Sequence, residues 1–244
     1  MNFFSLLFNE ILVRPLFNIL IIFYNLSGDF GIAIILLTIL IRVILYPLSA
    51  KAVRSQKELS RLQPHIQEIQ KKYKNDQPTQ AKELMKLYQE HGVNPFSGCL
   101  PVLIQLPILL ALYKVFFGGL DPAHLSTLYY FVHVPAKITP LFLGFLDLSR
   151  KSIFLAVITA LLQFWQSKVS LPPQPAPGSG QKQSNLPALM GKQALYMLPI
   201  ITLFIAASLP AGPVLYWFTT TLMSLLQYLI IKPKQVNIEA SPPS

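Results

Sequence analysis

Apolar residues along the chain fall in long runs separated by short polar punctuation. The run Phe30 to Ala50, FGIAIILLTILIRVILYPLSA, is 21 residues long. That length covers about 30 Å of hydrocarbon at 1.5 Å rise per residue. It predicts a first membrane span over 28–50. Phe96 to Tyr113 gives 18 uncharged residues before Lys114 and a second span over 96–117. Ser152 to Ser167 gives a third over 152–170. Between Lys192 and Lys232 lie 39 residues without a charge, too many for one helix. Pro210-Ala211-Gly212-Pro213 divides them into spans over 194–209 and 214–231.

Between the spans the pattern changes. Residues 2–26 are apolar but broken by Glu10, Arg14 and Pro15. This predicts an amphipathic helix lying in the interface over 1–27, or else a tilted extra span. Gly28-Asp29 turns the chain into the first span. Over 51–95, Leu59, Leu62, Ile66, Ile69 and Tyr73 repeat at heptad spacing. Asn75 to Thr79 signals a turn, and Ala81, Leu84, Leu87 and Tyr88 form a second apolar face. A helical hairpin in water results, with a kink expected at Pro64. Residues 118–151 read as a mixed segment outside the cytoplasm, with Ile138–Leu146 at the interface. Residues 171–193, rich in Pro, Gly, Ser and Gln, read as a flexible cytoplasmic loop. Residues 232–244 read as a polar tail.

Composition agrees with a polytopic membrane protein. Of the 244 residues, 52% are hydrophobic and 12% charged, and the mean hydropathy is +0.48. The net charge is +10. The basic residues are not interleaved with aromatics in any loop, so nucleic-acid readout is set aside. The hairpin, the loop with its flanks and the tail hold 14 of the 20 Lys and Arg. The positive-inside rule therefore places them in the cytoplasm and the N-terminus outside. The fold class expected is all-α: five transmembrane helices, an N-terminal interfacial helix and a cytoplasmic antiparallel helical hairpin. The single cysteine, Cys99, excludes an intrachain disulfide and reads as a small packing residue. No basic n-region with a small-residue cleavage site marks a signal peptide.

Arg42 is the one charge inside the first span. An arginine at such depth costs roughly 2.5–3.5 kcal/mol on insertion scales. No acidic residue lies in another apolar run to pair with it. Thr38, Arg42, Tyr46 and Ser49 fall on one face of a continuous helix. Gln105 in the second span, Thr159 and Gln163 in the third, and Tyr216, Thr220, Ser224 and Gln227 in the fifth extend the polar lining. Single Ser, Thr or Gln residues are usually helix–helix glue. Stripes on three helices around an unpaired arginine point instead to a hydrated groove with a fixed positive charge. Such a recess shortens the dry path of a polar segment crossing the bilayer. The chain shows no nucleotide-binding glycine loop, no metal cluster and no nucleophile placed with a histidine. Neither catalysis nor a cofactor is expected.

The runs GIAIILLTILIRVILYPL, LQPHIQEIQKKYKND, KLYQEHGVNPFSGCLPVLIQLPILLALY and LPAGPVLYW closely resemble the YidC-type membrane protein insertases (the YidC/Oxa/Alb family). The resemblance is dense over 28–118 and good over 194–231, in a short form without a large periplasmic domain. It implies insertion and folding of membrane proteins in the bacterial inner membrane. The implied partners are nascent membrane proteins, the lipid bilayer, the ribosome, the Sec translocon and the signal recognition particle receptor. Arg42 stands at the family's groove arginine and Thr38 at the polar position one turn before it. Gln105 and Pro107 match its second-span contact region, and Tyr216 and Trp217 its aromatic pair in the last span. The alternatives are an anion-site transporter or channel, for which inverted repeats are missing, and an assembly scaffold working through the hairpin.

Overall fold

The computed structural model describes residues 3–94, 100–118, 127–170 and 186–232. Cys99, most of the expected flexible loop and the tail beyond Lys232 lie outside the described residues. The chain begins with α1 (Phe3–Phe8), a π-helical turn (Asn9–Val13) and α2 (Arg14–Ser27). Pro15 lies in the first turn of α2, directly after the π-helical turn, where the helix ladder shifts and its missing N–H is accommodated. Gly28 ends it at φ 70°, and Asp29 caps the next helix, α3 (Phe30–Ile44), through Ile32 N.

The first apolar run is not one straight helix. It breaks at Leu45, and α4 (Tyr46–Lys72) leaves α3 at 69°. Pro47 is the cause. It has no N–H for the Val43 carbonyl, and its ring would clash there, so it is accommodated only in the first turn of a new helix. Residues 46–50 thus belong to the following polar helix, so Thr38 and Arg42 stand on α3 while Tyr46 and Ser49 stand on α4. α4 runs uninterrupted through Pro64. Asp76 caps α5 (Gln77–Glu90), which packs back on α4 through Leu62, Ile66, Leu87 and Val93.

The remaining helices are α6 (Leu100–Gly118), α7 (Ile153–Ser170), α8 (Leu186–Ser208) and α9 (Ala211–Ile230). α9 packs against α7 and α3 and also meets α6 and α4. The main core surrounds it, with Val214, Leu215 and Tyr216 buried among Ile34, Leu37, Leu112 and Ala156. By length and composition, the stretches Ser5–Ser27 and Ile153–Ser170 can each cross a membrane, and the bent α3–α4 pair adds a third. Gln105–Phe116 and Leu195–Ser208 are shorter apolar helical stretches.

One element departs from an all-α chain. Leu141–Phe142 (β1) and Leu146–Asp147 (β2) pair antiparallel. Leu143 and Gly144 turn between them at φ 51° and 78°, the positive φ values that primed hairpin turns need. Helical periodicity could not reveal so short a ladder.

Segment 127–143 runs alongside α2 in the same direction. Arg14 Nε donates to Thr127 O at 3.1 Å, and Asn18 Oδ1 accepts from Tyr129 N at 2.6 Å. Asn25 Nδ2 donates to His133 O, while the Tyr24 hydroxyl donates to Lys137 O and accepts from Thr139 N. Asp29 Oδ2 then accepts from Leu143 N at 2.6 Å. An irregular segment has no internal ladder for its peptide groups, and these side chains supply the partners. At the start of α9, Ala211 N and Gly212 N donate to Arg150 O and Leu148 O. The first N–H groups of that helix are satisfied in this way, and Pro213 has none to satisfy.

Candidate functional site

The polar residues expected on separate spans meet on α9. Arg42 Nη2 donates to the Thr220 main-chain carbonyl at 2.9 Å. Among the described residues no carboxylate pairs with Arg42, and the guanidinium is half-buried. The same Thr220 carbonyl accepts Ser224 Oγ at 2.9 Å. One turn earlier, the buried Tyr216 hydroxyl accepts from Gln105 Nε2 of α6. α9 thus joins the arginine of α3 to the glutamine of α6 through residues four apart.

A guanidinium carries five N–H donors in a planar fork. One of Arg42's is committed to Thr220. A guanidinium with donors to spare favours a carboxylate or a carbonyl as a further partner. This arrangement orients and attracts. Among the described residues no group of His, Cys, Asp or Glu could hold a metal ion.

Other expected lining residues sit differently. Thr38 is fully buried, and its hydroxyl donates to Ile34 O at 2.7 Å on its own helix. Thr159 does the same with Leu155 O. A hydroxyl bonded four residues back is satisfied locally and offers nothing to an open recess. Gln163 is half-buried and donates to Gln166 Oε1. Pro107 is exposed on α6, and Trp217 is half-buried on α9. The expected stripe on the third span therefore narrows to its two glutamines.

Three hydrogen-bonded pairs lie near the α4 end. Gln227 Nε2 of α9 donates to Ser49 Oγ at 2.6 Å, below the break in the first apolar run. Gln56 Nε2 donates to Ser170 O, the last residue of α7. Lys57 Nζ donates to Ile231 O just past α9 and lies 4.5 Å from the Tyr228 ring. A cation on the terminal carbonyls of a helix is favoured by its dipole. Sequence reading assigned no role to Gln56 or Lys57. Their only sequence signal was a position about three turns beyond Pro47. A cavity of about 140 Å³ lies at the opposite end, lined by Phe30, Phe116, Leu148 and Pro213 among others, away from Arg42.

Apolar helices gathered around one polar-studded helix define a multi-spanning membrane protein. A family model described as 60Kd inner membrane protein matches residues 22–238. The membrane protein insertase YidC of Geobacter sulfurreducens is 32% identical over 233 residues, covering 94% of this chain and 38% of that protein. The same-named protein of Francisella tularensis subsp. novicida is 39% identical over 210 residues, covering 85% and 33%. A solved structure titled as an active YidC insertase with its first transmembrane domain resolved matches with a TM-score of 0.58 at 30% identity. It covers 93% of this chain and 46% of that one. This chain belongs to the YidC-type insertase family of inner membrane proteins. It spans about a third of the length of the Geobacter and Francisella proteins.

Proposed function

We propose that the chain inserts and helps fold membrane proteins through a hydrated groove carrying Arg42, without nucleotide hydrolysis. The observation that carries this reading is an arginine between α3 and α9 with a carbonyl and no carboxylate as its partner. A charge kept there without an acid is explained by water and by a passing polar segment. Both named relatives are membrane protein insertases.

In this reading Arg42 attracts acidic or polar groups of an entering chain. Gln105, Gln163 and Trp217 contact it along the partly open wall, with Pro107 at the rim on α6. Tyr216, Thr220 and Thr38 act by positioning: Tyr216 fixes Gln105, Thr220 fixes Arg42, and Thr38 seals α3 beneath the groove. The apolar part of the substrate leaves sideways into lipid, and its burial drives the step. In this reading α3 and α6 to α9 are five spans, the hairpin and C-terminus lie in the cytoplasm and the N-terminus lies outside. The basic bias of the hairpin supports this orientation. Nascent membrane proteins are the substrates, and the ribosome, the Sec translocon and the signal recognition particle receptor are the candidate partners.

The test is reconstitution in liposomes with a small single-span substrate bearing an acidic outer tail and no nucleotide. Protection of that tail from external protease is expected with the native chain and a marked loss with Arg42→Ala. Equal protection by both would remove the groove charge from the mechanism. Ion flux without insertion would replace the reading with an anion-site transporter. Loss of complex assembly alone on hairpin deletion would replace it with a scaffold.

A further inference from the structure

We propose that segment 127–146 is a lipid-contacting rim, with Tyr130, Phe131, Leu143 and Phe145 entering the headgroup–acyl boundary at the end of the helices opposite the α4–α5 hairpin. This inference is independent of the insertase reading.

The placement follows from where the N-terminal helix is tied. Near its start, Asn9 Oδ1 accepts Lys114 Nζ from the last turns of α6 at 3.1 Å. Its other end turns at Gly28-Asp29 into the first residue of α3. The end of α6 and the start of α3 lie on the side away from α4. Both ends of the N-terminal helix therefore lie at one level, so the helix crosses the end of the bundle and does not run through it. Segment 127–143 is bonded along its length by Arg14, Asn18, Tyr24, Asn25 and Asp29. It shares the same level. Irregular backbone is not tolerated facing hydrocarbon, so this layer sits at the boundary.

The side chains it turns outward suit that boundary. Tyr130 is 99% exposed, Phe131 63%, Leu143 57% and Phe145 76%. Phe131 stacks on Tyr129 at 5.5 Å and meets Tyr130 edge-on at 5.4 Å. Leu143 keeps a left-handed φ of 51°, a conformation a leucine adopts only when its surroundings impose it. The Asp29 bond imposes it here. The apolar surface continues into α7, whose first residues Ile153 and Phe154 are 71% and 76% exposed on a helix able to cross a membrane. Exposed cations at Lys137 and Lys151 border it and match lipid phosphates. Aromatic residues concentrate at membrane–water interfaces for this balance of apolar ring and polar edge. The rim also sets depth. Arg42 lies 13 residues beyond Asp29, about 20 Å along the helix.

The test uses the full chain in liposomes in a Cys99→Ser background, with single cysteines at Tyr130, Phe131, Phe145 and, as an aqueous control, Lys74. Each carries an environment-sensitive fluorophore. Quenching at the three rim sites by lipids spin-labelled near the carbonyl is expected to exceed that by lipids labelled deep in the chain by at least two-fold. Quenching by iodide is expected to fall several-fold below that at position 74. Iodide quenching equal to position 74 would overturn the proposal, as would dominant quenching from the deep label. Tyr130→Cys keeps the test valid if a phenylalanine variant does not fold, since that ring is almost fully exposed.

Discussion

Asp29 and Leu143 share one hydrogen bond that links the start of a helix to the turn of a β-hairpin far along the chain. Asp29 Oδ1 accepts from Ile32 N at 2.9 Å, and its Oδ2 accepts from Leu143 N at 2.6 Å. One carboxylate therefore caps α3 and holds the positive φ of the turn. Asp29→Ala removes a cap worth about 1 kcal/mol and a bond to a charged acceptor worth about 1.5–3 kcal/mol. Unfolding in detergent is expected to show a loss of at least about 2 kcal/mol, with Asp29→Asn intermediate. A change within experimental error would mean the carboxylate holds neither element.

Gly31 faces the same hairpin. A Cβ added there would overlap the Phe142 ring. Gly31→Ala is expected to destabilise by about 1–3 kcal/mol through overpacking. Adding Phe142→Ala should recover part of that loss, and thermal unfolding of the single and double variants measures the coupling. Additive losses would show that the two residues do not meet.

Arg42→Ala is expected to separate activity from stability. The Thr220 carbonyl keeps the Ser224 hydroxyl, so stability should move by less than about 1 kcal/mol. Insertion of acidic-tailed substrates should fall about ten-fold or more, the effect of a charge-assisted contact of roughly 1.5–3 kcal/mol. Arg42→Lys keeps the charge without the planar fork and should restore only part. The liposome protease-protection assay reads insertion by both variants, and thermal unfolding in detergent reads their stability.

Lys57→Met keeps the length of the side chain and removes its charge. It loses the bond to Ile231 O and the contact with Tyr228. Hydrogen exchange is expected to quicken in α4 near residue 57 and at the end of α9, and to remain unchanged at the start of α3. Uniform protection would show that the ammonium does not fasten the hairpin base.

The cap of α5 predicts an acid response. The Thr79 hydroxyl, with its main-chain N–H, holds the Asp76 carboxyl below its ordinary pKa. A folded-state pKa below the unfolded one contributes stability present above the ordinary carboxylate range and lost as pH falls through the depressed value. Amides in the first turn of α5 should lose protection, measured against their intrinsic exchange rates, below that pH. Asp76→Ala should leave that protection low and flat with pH.

Apolar run length, charge position and turn residues determined much of this protein by themselves. The apolar run opens at Phe30, where α3 begins, the polar stretch over 51–95 holds the Asp76 turn that precedes α5, and Pro210 stands just before α9 begins at Ala211. Charge position also singled out Arg42 as the charge without an acid. These features are local in the sequence: solvation sets the apolar runs, and proline geometry and the Asp76 cap set the turns. Pro47 was equally visible, but a hydropathy run counts side chains and not missing N–H groups, so the break at Leu45 did not show. Only the tertiary structure decided which polar residues meet. It paired Arg42 with a carbonyl of α9, Gln105 with Tyr216 and Ser49 with Gln227, and it closed Thr38 and Thr159 onto their own helices. A threonine on a helix reads the same whether its hydroxyl faces a cavity or its own backbone. The partner is chosen by the packing of helices far apart in the chain.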